Sequence, residues 1–217
     1  MSCPLCESLS ATRYSEDKFR QYLLCGNCTL VYVPRDSILP FREEADRYEA
    51  HQNDDGEPDY VAYLTRIVDG IRPRLPKPKF LFSKPLRGLD FGCGKTTLLE
   101  KLFSAHDVEV DSYDLYFHPN ESVWNRKYDF IVLSEVIEHL SDPRGVMLRL
   151  SKVLKGSGKF FIKTKPYPAD PAVFDQWFYK RDMTHVQFFN HESLSQLAKL
   201  LKMAGPHKLG DDIFEFY

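Results

Sequence analysis

Residues 86–103 pass from an apolar stretch through two closely spaced glycines into a second apolar pattern, and that order restricts the fold more than any other feature. Leu89 and Phe91 suit a buried strand, and Gly92-Cys93-Gly94 ends it in a tight turn. Thr97-Leu98-Leu99-Glu100-Lys101-Leu102-Phe103 then carries helical periodicity. Strand, glycine turn and helix open a doubly wound, mostly parallel α/β sheet, a Rossmann-like fold. Glycines at such a turn permit unusual backbone angles and let a ligand approach the main chain.

Three ligand classes compete for the turn. A phosphate loop needs a glycine five positions before its Gly-Lys-Ser/Thr; Gly94-Lys95-Thr96 supplies the end, but Leu89 stands at the start. Asp90 would also face the phosphates with the wrong charge. A dinucleotide fingerprint wants a third glycine where Thr97 stands. The remaining class is S-adenosylmethionine, whose sulfonium and ammonium suit an acid just before the glycines. Val108 to Tyr113 reads as the next strand, and Asp114 at its end lies twenty residues beyond Gly94. That is the spacing at which a doubly wound fold places its ribose-binding acid.

Tyr128 to Leu133 reads as a buried strand that opens at Ser134-Glu135-Val136-Ile137-Glu138-His139-Leu140. Met147 to Leu154 is helical, Lys155-Gly156-Ser157-Gly158 a turn, and Lys159 to Thr164 another strand. Taken in order, Leu-Asp-Phe-Gly-Cys-Gly, the acid at 114, Tyr-Asp-Phe-Ile-Val-Leu-Ser-Glu-Val-Ile-Glu-His-Leu and Val-Leu-Lys-Gly-Ser-Gly-Lys-Phe-Phe-Ile resemble the class I S-adenosylmethionine-dependent methyltransferases. The nearest likeness is to bacterial small-molecule-type members with an N-terminal four-cysteine ribbon. The resemblance implies cofactor contacts at Asp90, Gly92, Gly94 and Asp114, with their neighbours Cys93 and Leu115, and at the strand end, Ser134 and Glu135. It also implies a small-molecule methyl acceptor. Two departures stand out. Lys95 replaces the usual small residue or proline, and only thirteen residues separate Asp114 from Tyr128. That space is too short for a helix, a strand and two loops, so the third strand is expected to be missing or vestigial. The last two strands are expected as a hairpin near residues 207–209 and 213–216.

Cys3-Pro-Leu-Cys6 and Cys25-Gly-Asn-Cys28 form two Cys-x2-Cys knuckles eighteen residues apart. Two residues between cysteines let both sulfurs reach one ion, and two such turns complete the closed thiolate tetrahedron of structural Zn2+. Arg20 to Leu24 and Leu30 to Val33 read as hairpin strands between and after the knuckles. Along the chain the expected modules are a zinc ribbon at 1–35, a helical linker or lid at 36–85 and the methyltransferase domain at 86–217. The linker reads as helices from Phe41 to Gln52 and, capped by Asp59, to about Ile71.

Histidine is the natural proton acceptor near neutral pH, and His139 and His185 are the candidate catalytic bases. His185 lies in an aromatic stretch after the fifth strand, where Tyr167, Trp177, Phe178 and Tyr179 would wall a substrate. Asn190 is expected to cap the last helix. The net charge of −2 across 217 residues provides no overall basic field for nucleic acid, and no apolar run is long enough to span a bilayer. The N-terminus lacks an apolar signal region, and five cysteines, four of them in close pairs, make a metal framework rather than a disulfide one. A cytoplasmic location is expected. Two other functions remain open: methylation of RNA or protein docked through the ribbon, and a non-catalytic scaffold on a decayed methyltransferase fold.

Overall fold

The apolar and glycine pattern at 86–103 forms the strand and helix expected of it in a computed structural model, which describes residues 2–50, 56–76, 85–210 and 212–217. In chain order the strands and helices begin with β1 (Ala11–Glu16), β2 (Gln21–Cys25), β3 (Val31–Tyr32), α1 (Phe41–Ala50) and α2 (Pro58–Ile71). Then come β4 (Leu86–Phe91), α3 (Leu98–Ser104), β5 (Val108–Tyr113), β6 (Tyr128–Ser134), α4 (Pro143–Val153) and β7 (Leu154–Lys163). The chain closes with α5 (Pro171–Gln176), β8 (Gln187–Phe188), α6 (His191–Leu201), β9 (His207–Gly210) and β10 (Ile213–Phe216). By contacts it gathers into two compact units, each built from three separate segments.

One unit holds residues 50–134, 151–163 and 207–217 and carries a six-stranded sheet in the order β5-β4-β6-β7-β10-β9. The first four strands run parallel, and β10 and β9 return antiparallel as the expected hairpin. Val108, Val110, Phe130, Val132 and Phe161 point to one face, where α2 and α3 bring Leu64, Ile67, Val68, Leu98 and Phe103. Glu57, not Asp59, occupies the N-cap of α2, because Pro58 takes the first helical position, where its fixed φ and missing N–H cost nothing. The expected ending of α1 at Gln52 lies outside the described residues. No third parallel strand occupies 115–127; a 3₁₀ turn at Glu121–Asn125 fills the space and lays Trp124 against Phe91 and Tyr113. β7 begins earlier than the glycine-rich turn suggested, at Leu154, and takes Lys155 to Gly158 into the strand.

The other unit holds residues 1–49, 135–150 and 164–206. Its four-stranded sheet runs β1-β2-β3-β8, so the cysteine ribbon shares a sheet with a strand from late in the chain. Val31 pairs with Phe188 and Tyr32 with Gln187. An aromatic cluster of Tyr22, Phe174, Tyr179 and Phe188 fills the space behind. Asn190 caps α6 in a reciprocal box with Ser193, which satisfies two helix-end donors together.

Candidate functional site

In the six-stranded unit, β4 is flanked by β5 on one side and β6 on the other, which makes its carboxyl end the topological switch point. Ligands of open parallel sheets bind there. The structure brings Asp90, Gly92, Cys93, Gly94, Asp114 and Ser134 to the ends of these three strands. Gly92 and Gly94 both have positive φ, 83° and 68°, a region closed to most side chains. A Cβ added at Gly94 would meet nothing within 4 Å, so this glycine opens on free space.

The N–H groups of the turn are already taken. Gly92 and Cys93 donate to the Tyr113 carbonyl, at 2.8 and 3.1 Å, and Gly94 donates to Asp114 Oδ2 at 3.0 Å. Asp114 Oδ1 accepts two more, from Tyr116 at 2.8 Å and Phe117 at 3.1 Å. A carboxylate offers about four lone-pair positions; three are occupied, and one on Oδ2 remains. The turn therefore has no row of donors for phosphate. Burial, with the charges of Asp114 and Glu100 added, pushes the Asp90 carboxyl up to about 7. The same burial, beside Asp90 and Asp114, pushes the Cys93 thiol up. Cys93 is thus held as a neutral thiol.

Other expected residues sit less centrally. Leu115 is largely exposed. Ser134 Oγ lies 3.1 Å from the Tyr63 hydroxyl, a partner from α2 whose role at the strand end has no signature in the sequence. Lys95 extends over the Phe117 ring, 5.8 Å from its centroid, while its carbonyl meets His118 Nε2 at 3.1 Å. Thr96 Oγ1 is buried with no partner.

A second group lies in the ribbon-bearing unit. Glu135 has φ 54°, and its Oε2 accepts from the Tyr179 hydroxyl at 2.8 Å, so this residue joins the second group. Glu138 is fully buried; Oε1 takes a very short hydrogen bond from the same hydroxyl, and Oε2 has no partner. Burial first, and the Glu135 charge second, push Glu138 well above the carboxylate range. His139 and His185 stack edge-on, with centroids 4.5 Å apart. Their Nδ1 atoms meet the carbonyls of Thr184, at 3.2 Å, and Tyr179, at 2.6 Å. Burial lowers His185 despite Asp182 nearby. Sequence reasoning places Tyr179 in a substrate wall but does not single out Glu138 or Asp182 as site residues. The only signal for Glu138 is a second acid beside a histidine shortly after a buried strand.

The four ribbon cysteines also converge. Cys3 Sγ lies 3.6 Å from Cys28 Sγ, and Cys6 Sγ 3.5 Å from Cys25 Sγ, and none forms a disulfide. Zn–S bonds of about 2.3 Å place tetrahedral sulfurs about 3.8 Å apart, close to these spacings. Backbone N–H groups of Asn27 and Cys28 point at Cys25 Sγ, at 3.4 and 3.5 Å.

A family model of the methyltransferase domain matches residues 60–201. The chain belongs to that family. This methyltransferase-domain chain is also similar in fold to a candidate O-methyltransferase from Nostoc punctiforme, at 12% identity and a TM-score of 0.51, covering 80% of this chain and 59% of that one. LaPhzM is similar at 13% identity and a TM-score of 0.50, over 80% and 58% of the two chains. An O-methyltransferase family protein from Burkholderia thailandensis aligns at 14% identity and a TM-score of 0.48, over 72% and 57%. The methyltransferase-domain chain thus spans less than 60% of each of these proteins. No curated protein matches it in sequence. No helix among the described residues is long and apolar enough to cross a membrane.

Proposed function

We propose that this chain transfers the methyl group of S-adenosylmethionine to a small-molecule acceptor. The observation that carries this reading is the glycine turn at the switch point: its N–H groups are taken, it opens at Gly94, and the carboxyl groups of Asp90 and Asp114 border it while Lys95 extends over the Phe117 ring. That donor set fits a ligand with positive charges and no phosphate. When bound, S-adenosylmethionine supplies an electrophilic methyl group on its sulfonium. Asp90 provides a counter-charge for the cationic end, Gly94 lets the ligand reach the main chain, and the free position on Asp114 Oδ2 accepts from a ribose hydroxyl. Cys93, Leu115 and Ser134 complete the contacts by position.

Calorimetric titration with S-adenosylmethionine and with its demethylated product is the test. Micromolar binding of both, with mass shifts in a metabolite extract given labelled cofactor, is expected. One observation favours a second reading, a binding protein without transfer: Asp114 already has three backbone donors, which leaves little of it for a ligand. Absence of binding at millimolar cofactor would decide for that reading.

We also infer that Cys3, Cys6, Cys25 and Cys28 hold one structural Zn2+. Four thiolates close the shell, so the ion would have no open position for chemistry.

A further inference from the structure

Besides the ribbon, the described residues hold a second group with the makings of a metal centre. Ligand atoms of Glu138, His139 and His185 all lie within 4.8 Å of one another. A carbonyl oxygen only accepts, so His139 Nδ1 against Thr184 and His185 Nδ1 against Tyr179 must each carry the proton. In the neutral rings this leaves a lone pair on both Nε2 atoms. Metal-bound histidines are held this way, with the far nitrogen donating to a carbonyl or carboxylate that fixes tautomer and ring orientation. Beside them Glu138, with no solvent exposure, has an oxygen without any hydrogen-bond partner. Tyr179 has one hydroxyl proton to divide between Glu138 and Glu135, so it serves Glu138 only in part.

The buried cations of this unit do not repair that deficit. Arg20 donates to Tyr22 and to the carbonyls of Lys180, Asp182 and Met183. The Lys180 ammonium donates to Ser15 and Asp175. Glu138 Oε2 thus lies beside two imidazole rings with no hydrogen-bond donor of its own. Such a cluster is costly unless a cation fills it.

We propose that Glu138, His139 and His185 bind a divalent first-row transition ion, with Glu135, which shares the Tyr179 hydroxyl, and Asp182, 3.9 Å from His185 Nε2, as neighbouring carboxylates. Two imidazoles and a carboxylate favour Mn2+, Fe2+, Co2+, Ni2+ or Zn2+ over Ca2+ or Mg2+, and three protein ligands leave positions open. An oxygen ligand at an open position has its proton affinity lowered.

The full chain with its ribbon zinc retained should be titrated with Mn2+, followed by the loss of the free-ion paramagnetic resonance signal. Mn2+ competes poorly for thiolates, so it reads this site and not the ribbon. One Mn2+ per chain is expected, with Glu138→Gln and His139→Gln each weakening it by about a hundredfold. Wild-type protein that binds no Mn2+, and no Co2+ or Zn2+ beyond the ribbon equivalent, overturns the assignment. So does unchanged affinity in both variants. If a variant fails to fold, the wild-type stoichiometry decides alone. A parallel S-adenosylmethionine titration on the same protein separates failure of the metal site from failure of the cofactor site, because the two ligands are read independently.

Discussion

Asp90 and Asp114 share the carboxyl end of β4 and β5 yet differ in how they respond to charge. Asp90 titrates near 7 in the folded chain against 3.8 when free, because it is buried beside two other acids. Its folded form therefore holds a proton that the unfolded form loses, so this residue's contribution to stability falls as pH rises from about 4 to about 7. A cationic ligand reverses the preference and favours the carboxylate. S-adenosylmethionine should bind more tightly as pH rises from 6 to 8 with release of a proton, and Asp90→Asn should flatten that dependence. Calorimetry in buffers of different ionisation enthalpy reads both, and an affinity that falls with pH would refute the role. Asp114 acts through hydrogen bonds. Asp114→Ala leaves three backbone N–H groups without acceptors, and at about 1 kcal/mol or more each it should lower stability by roughly 3 kcal/mol in urea melts of the ligand-free chain. Its position was legible from a twenty-residue spacing, but its partners were not, because they depend on how residues 115–118 turn back. Glu138 was hidden for a related reason: a charged letter reads as surface, and only the fold places it in the interior.

At the scale of elements, β6 was readable because a strand buried on both faces is apolar along most of its length, β5 because Val108 and Val110 alternate with Glu109 and Asp111, and β4 because the glycine turn follows it. β1, with the mixed sequence ATRYSE, and the two-residue β8 were not, since neither carries a pattern long enough to show a period. The contact between β4 and β6 allows a direct check. A Cβ at Gly88 would overlap the Phe130 ring, so Gly88→Ala should cost about 1–3 kcal/mol through overpacking. Phe130→Leu in the same chain should recover part of that loss; additive losses in the double mutant would show that the two residues do not share the space. α6 offers a second check. Asn190→Ala removes the cap acceptor for Ser193 and the bonds to Thr29 and Tyr167. It should cost about 1–2 kcal/mol, read as a lower urea midpoint with unchanged slope.

At the scale of the whole molecule, the modules that follow one another along the chain are not the units that pack. Cysteine ribbon, linker and methyltransferase domain describe sequence order. The ribbon's sheet is closed by β8, and Arg20, next to β2, ties down the carbonyls at 180, 182 and 183, just before His185. Sequence periodicity cannot reveal such a tie, because it joins segments some 160 residues apart through one side chain. Its consequence can be measured. Cys25→Ser should release the inferred zinc and loosen β1–β3, and the loss should pass through Arg20 to residues 178–186. Hydrogen exchange by mass spectrometry should then show faster amide exchange in both stretches, while β4 to β7 keep their protection, since exchange follows the local unit that opens. Arg20→Met should quicken exchange at 178–186 with zinc still bound, which separates the tie from the metal. Protection of 178–186 that survives both substitutions would show that the loop bearing His185 is held without the ribbon.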